Sequence, residues 1–303
     1  MKPRDRNREM MTAPRIGAAG NRRTRAFLIT MLLGGVGFML ACGPRVARAN
    51  DTWLHSLVPF YRISTDHHAV TRQLERLRRH YPDFQQRLRA IVLLRVGTPY
   101  VLGCLGEGRG RDAKPVFRLD ESDCTVNILT SAALAHASDW KQACAMMMRL
   151  NYYPTAPGVN PVHFANRIHF TSDRLLTSRY FSVLHVVPRS QEVPVTLTLN
   201  RKAGGGHLID IPWTKRVTIS YVPDRFVTRS VLARLPRYVA GVAFVRRKMF
   251  PLGVIVAHEG AIVDRHRLVE ADSIRRRTIS VDFLTYLHRT SDWFDGVIFF
   301  KFH

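Results

Sequence analysis

The apolar positions change their rhythm once along the chain, from a helical period to runs of strand-forming residues. Across 50–95, Leu74, Leu77, Phe84 and Leu88 recur at helical spacing among charged positions. Ser64 or Thr65 could cap one helix there, and Pro82 stands where a second could begin. Residues 97–111 form a glycine-bearing loop, and 125–150 is helical again and rich in alanine. From 151 to 172 turn formers dominate: Pro154, Pro157-Gly158 and Asn160-Pro161. Beyond them, 195–199, 217–222, 239–245, 253–263 and 296–302 read as strands. Gly204-Gly205-Gly206 marks a turn without phosphate-loop context, and 278–287 reads as a last helix capped by Ser280. Helices first and strands later predict an α+β fold, with a helical part over 50–150 and a β-rich part over 175–303. No linker interrupts 50–303, which is expected to be one domain.

The N-terminus follows a different logic. Residues 1–25 are basic and polar, 26–41 are apolar, and Ala47-Arg48-Ala49 supplies a small-x-small cleavage pattern. The apolar stretch is short of the roughly 20 residues a spanning helix needs. Together these features predict a secretory signal peptide over 1–49 and an exported, periplasmic protein. An uncleaved anchor, lipidation at Cys42 in Met39-Leu40-Ala41-Cys42, and a twin-arginine signal at Arg22-Arg23 stay open beside it.

Charge then needs dividing. The 303 residues carry a net +23, of which residues 1–49 hold ten basic and two acidic residues, so +15 remains after cleavage. An exported protein does not meet chromosomal DNA, so nucleic acid is not the expected partner. The remaining excess suits contact with an anionic envelope surface. With 46% hydrophobic residues, four cysteines and no repeat, the chain is neither disordered nor a disulfide scaffold.

Three cysteines lie beyond the signal: Cys104, Cys124 and Cys144. The odd count leaves at least one thiol without an intrachain partner, and Cys104–Cys144 is a candidate pair. Cys124 follows Asp120-Glu121-Ser122-Asp123 and opens an apolar helical run. A helix's first turn favours a thiolate, so Cys124 is a candidate nucleophile, with a buried structural thiol as the competing reading. A nucleophile needs a base. Among thirteen histidines, His258 stands out at the end of the apolar strand 253–257, before Glu259-Gly260 and a second strand, as in a hairpin. His169 is the other candidate. No pair has metal-site spacing, so neither metal nor cofactor is expected.

Gly97-Thr98-Pro99-Tyr100-Val101-Leu102-Gly103 followed by Asp123-Cys124-Thr125 resembles the NlpC/P60 papain-like cell-wall hydrolases. The longer layout, with Arg167-Ile168-His169-Phe170 before the histidine strand, is similar to the DUF1460 branch. The resemblance covers about residues 90–300. It implies N-terminal helices, a cysteine helix packed on an antiparallel sheet, and a β-rich insertion. It also implies Cys124 as nucleophile, His258 as base and Glu270, twelve positions on, as the third catalytic residue, with Asp272 as rival. Tyr100, Asp123, Arg167 and His169 become substrate-binding candidates, although Asp123 could be only a helix cap and Arg167 could make a structural ion pair. The implied substrate is peptidoglycan or a muropeptide, cut at the N-acetylmuramoyl–L-alanine amide. Two alternatives are cleavage of the γ-D-Glu–diaminopimelate bond and a non-catalytic envelope-binding protein. The chain departs from the broad pattern at Thr125-Val126-Asn127, where Ser-Gly is usual, at Cys104, and at Glu270 itself.

Overall fold

Aspartates start the long helices. In the computed structural model, which describes residues 49–106, 112 and 115–303, α1 spans Ala49–His55 and belongs to a unit separate from Leu57–His303. Residues 1–48 of the expected signal peptide, Cys42 included, lie outside the described residues. Helix α2 (His67–His80) is capped by Asp66, which accepts from the Ala69 N–H at 2.9 Å. Helix α3 (Phe84–Leu94) is capped in the same way by Asp83. The expected starts at Ser64, Thr65 and Pro82 are therefore corrected by a few residues. A carboxylate both accepts the orphan N–H and complements the helix dipole.

The helical region over 125–150 is built as two helices. Helix α4 (Cys124–His136) ends at Ala137, and Asp139 caps α5 (Trp140–Asn151) by accepting from the Gln142 N–H at 2.8 Å. Residues Val126 through Ala135 of α4 are all buried, because α3, α5 and the sheet enclose the helix. Its alanines let these neighbours approach closely. A short α6 (Thr171–Thr177), unmarked by any periodic signal, precedes the strands.

The sheet has eight strands: β1 (Phe181–Leu184), β2 (Val193–Leu199), β3 (Lys215–Pro223), β4 (Val239–Val245), β5 (Val256–Val263), β6 (Arg267–Asp272), β7 (Arg277–Asp282) and β8 (Gly296–Phe302). Their order is β2-β3-β8-β4-β5-β6-β7, with β1 also on β8, and every pairing is antiparallel. One edge of β8 is shared, since β3 pairs with Gly296 and Val297 and β1 with 299–302. Strand β4 is buried at every residue, from Val239 to Val245. Helix α7 spans Arg229–Leu232, and α8 spans Phe283–Arg289. No helix of the described residues is long and apolar enough to cross a membrane.

Three expectations are overturned here. Residues 278–282 are strand, because β-branched Thr278, Ile279 and Val281 pair with β6 in full register. Only Phe283 onward is helical, and its cap is Asp282 rather than Ser280. The hairpin at Glu259-Gly260 does not exist either: Glu259 pairs with Ala243 and Gly260 with Val242 inside the continuous β5. Nor does the strand begin at Gly253, which has φ +75° and closes a 3₁₀ turn. A register shift falls where Phe244 faces His258 but Val245 faces Val256, leaving Ala257 as the extra residue. Such bulges re-aim neighbouring side chains, here that of His258.

Candidate active site

Asp123 fixes the start of α4. Its Oδ1 accepts from the Val126 N–H at 2.8 Å, and its Oδ2 accepts from the Gly103 N–H at 3.2 Å. Burial pushes its carboxyl up; the N–H groups of Val126 and Gly103 oppose that, while the charge of Glu259 adds to it. Both oxygens serve backbone groups, which is the work of a cap that also ties down the preceding loop. Cys124 is thereby the first residue of α4.

The 97–101 segment is laced between that cap and the sheet. Gly97 N–H donates to Thr278 O at 2.8 Å, Tyr100 N–H to Arg276 O at 3.0 Å, and Val101 N–H to Ser122 O at 3.0 Å. This places Tyr100 beside the nucleophile candidate. Burial raises its phenol pKa, and negative charge at Cys124 and Asp123 raises it further, so Tyr100 stays a neutral O–H donor. Tyr286 on α8 is held neutral in the same way, by burial and then by Glu270, Asp272 and Cys124. No motif in the sequence singles out Tyr286; its packing against Phe244, at 5.5 Å between ring centroids, exists only in the fold.

His258 is the hinge of the site. Its Nε2 lies 2.8 Å from Glu270 Oε2, and its ring stacks on Phe244 (5.5 Å between centroids, 28° between planes) and on Phe294 (6.2 Å, 15°). Burial alone would lower its pKa. The charge of Glu270 and hydrogen bonds with Cys124 and Glu270 outweigh burial and raise it well above 6.5. With Nε2 engaged by Glu270, Nδ1 is the ring nitrogen left for the Cys124 thiol. Glu270 is 1% exposed, and its Oε1 has no hydrogen-bond partner among the described residues. Asp272 is occupied elsewhere: it accepts from the Ile274 and Arg275 N–H groups at 2.7 and 2.9 Å and from the Arg275 guanidinium at 2.8 Å.

Arg167 and His169 face inward. The Arg167 guanidinium holds Asp112 at 2.9 Å and donates to the carbonyls of Gly106 and Leu105 at 3.1 and 3.5 Å, while Tyr152 also bonds Asp112. His169 Nε2 lies 2.7 Å from Phe164 O; burial outweighs this bond and lowers its pKa to about 4. Arg167 is thus spent on Asp112, Gly106 and Leu105, and His169 on Phe164. Cys104, Cys124 and Cys144 are all free thiols, so Cys104 and Cys144 are not joined. Burial, then the charge of Asp123, pushes Cys104 up to about 12, and burial pushes Cys144 up to about 11.

One neighbour of the site entered the sequence reading only as part of a turn. Glu259, 1% exposed, accepts from the Thr125 hydroxyl at 2.7 Å and the Thr171 hydroxyl at 3.1 Å, and forms an ion pair with Arg174. Nearby, a cavity of about 680 Å³ is lined by Tyr221, Arg225, Arg247, Phe250 and Asp295 among others, and shares the wall residue Phe294 with the His258 stack. Among the described residues, no three His, Cys, Asp or Glu side chains gather as metal ligands do.

Residues 91–297 match the AmiA-like family model, described as N-acetylmuramoyl-L-alanine amidase-like. No protein of curated function matches the chain. Among solved structures, it is similar to a DUF1460 protein of Legionella pneumophila (17% identity, 78% of this chain and 97% of that one, TM-score 0.58). An N-acetylmuramoyl-L-alanine amidase of Bacteroides uniformis is similar too (16%, 72% and 98%, TM-score 0.56). So is a Bacteroides fragilis protein named as a xylanase (16%, 69% and 98%, TM-score 0.50). At these identities the likeness is one of fold.

Proposed function

Since the chain belongs to the AmiA-like, N-acetylmuramoyl-L-alanine amidase-like family, we propose that it is an exported cysteine amidase of the papain-like NlpC/P60 type that cleaves the N-acetylmuramoyl–L-alanine bond of peptidoglycan or muropeptides. The observation that carries this reading is the bond of His258 Nε2 to Glu270 Oε2 at 2.8 Å, with Cys124 opening α4. Export rests on the pattern of residues 1–49.

In this reading His258 Nδ1 takes the thiol proton, and Glu270 holds the imidazolium that results. The Cys124 sulfur attacks the carbonyl carbon of the lactyl amide. The oxyanion is met by the Cys124 backbone N–H, unpaired within the helix at its first position, and by the Tyr100 hydroxyl. His258 then passes its proton to the departing nitrogen of L-alanine, releasing the stem peptide with a free amine. Water, deprotonated by His258, hydrolyses the thioester, so that the sugar leaves as its lactyl carboxylate and the thiol is restored.

Muropeptides incubated with the protein lacking residues 1–49 and analysed by mass spectrometry test this reading. Release of intact sugar and of a peptide beginning with L-alanine is expected. Cys124→Ala should cut the rate by about a thousandfold or more. Peptides that begin with diaminopimelate would place the cleavage at the γ-D-Glu bond. An inert wild-type protein would favour the non-catalytic alternative.

A further inference from the structure

We infer that Glu259 is a positioning residue: through Thr125 it fixes the nucleophile's helix against the histidine strand. The inference rests on the amidase reading for its role but on independent contacts for its geometry. Cys124 and Thr125 are adjacent on α4, and His258 and Glu259 are adjacent on β5; Thr125 bonds Glu259 at 2.7 Å, and His258 is the base that the amidase reading pairs with Cys124. Neighbouring side chains of a strand leave it in opposite directions. The two contacts therefore approach the helix end from different sides and restrict both its rotation and its slide, which one bond would not do.

The rest of the cluster sets the carboxylate's aim. Glu259 Oε2 is taken by Arg174, while Oε1 serves Thr125 at 2.7 Å and Thr171 at 3.1 Å. Thr171 and Arg174 stand three apart on α6, on one face. Both members of the ion pair are 1% exposed. A pair so fully removed from water is weak as a source of stability, but it holds an acceptor in a fixed place. It also gives a reason for a hydroxyl-bearing residue after the cysteine, since the Thr125 hydroxyl is the group that reaches Glu259.

Removing Glu259 would strand a buried Arg174 and endanger the fold, so the decisive substitution is Thr125→Val, which leaves the ion pair and the Thr171 bond in place. Three measurements on the protein lacking residues 1–49 are compared for wild type, Thr125→Val and Thr125→Ser. These are steady-state kinetics on muropeptides, the rate of Cys124 alkylation by iodoacetamide followed by peptide mapping, and thermal unfolding. For Thr125→Val, kcat should fall roughly tenfold or more with KM within about twofold, since small misplacements of reacting groups cost rate. Cys124 alkylation should slow in parallel, and Thr125→Ser should restore both. A Thr125→Val protein that melts earlier yet keeps wild-type kcat and alkylation rate overturns the inference, since the contact would then be merely structural. If the wild type hydrolyses no muropeptide, the amidase reading fails by itself. The alkylation arm then still decides the clamp: slowing in Thr125→Val supports it, and an unchanged rate refutes it.

Discussion

His258 Nε2 meets Glu270 Oε2 at 2.8 Å, and this bond sets Glu270 apart from its rival Asp272. Asp272 spends its oxygens on the turn after β6. Glu270→Gln should therefore lower kcat by roughly 10²–10⁴-fold, as loss of the orienting carboxylate does in a triad. Asp272→Asn should leave kcat within about threefold. Steady-state kinetics of the two variants on one muropeptide check both.

The raised pKa of His258 makes a statement about stability. A folded-state pKa above 6.5 means the folded protein holds this proton more tightly than the unfolded chain. That contribution is full below pH 6.5 and is lost as pH rises through the folded value. The difference in melting temperature between wild type and Glu270→Gln should thus be widest just below pH 6.5 and narrow on the alkaline side. Calorimetry across that range measures it.

His169 has the opposite sign. Burial, offset only in part by Phe164 O, lowers its pKa from 6.5 to about 4, so its contribution is present above pH 6.5 and lost as pH falls through 4. His169→Gln, which can still donate to Phe164 O, should lose less stability than wild type on acidification across this window.

Asp123 carries two backbone N–H groups rather than one. Asp123→Ala should lower unfolding stability by about 1–3 kcal/mol, a lost cap plus a second stranded donor. Asp123→Asn should lose less. Urea unfolding at constant m-value distinguishes them.

Arg167 is committed to Asp112 and the 105–106 carbonyls. Arg167→Met leaves Asp112 buried without its cation and should cost about 3–5 kcal/mol. Asp112→Asn in the same chain should recover part of that. KM for muropeptides should stay close to wild type in the double variant, whereas a substrate-binding arginine would raise it.

The order of helices and strands, and the start of the cysteine helix, were legible because each has a local cause. Asp123 before an apolar run marks α4 in any context. The stretch 278–282 misleads because five residues of alternation adjoin a genuine helix, and only pairing with β6 decides between them. The apparent hairpin at His258 fails for the same reason: Glu259-Gly260 is a turn signal locally, yet β4 supplies partners for both residues. The buried ion pair of Glu259 was illegible. A glutamate is buried only if its cation is at hand, and Arg174 lies 85 residues earlier in the chain. Arg167 and His169, conspicuous as a motif, face inward because Asp112 and Phe164 engage them.

The β5–β6 ladder runs from Val263↔Arg267 only as far as Ala261↔Val269, and there the strands part. Gly260 stands at the fork, where an added Cβ would come within 3.1 Å of the Glu270 Cβ and 3.0 Å of Val269 O. His258 and Glu270 meet in the opening just beyond. Selection for a sturdier protein and selection for a working one therefore pull against each other at this point. A variant that zipped the two strands together would gain backbone bonds and close the gap in which the imidazole and carboxylate face one another. An unfinished seam in the sheet is what leaves room for the chemistry.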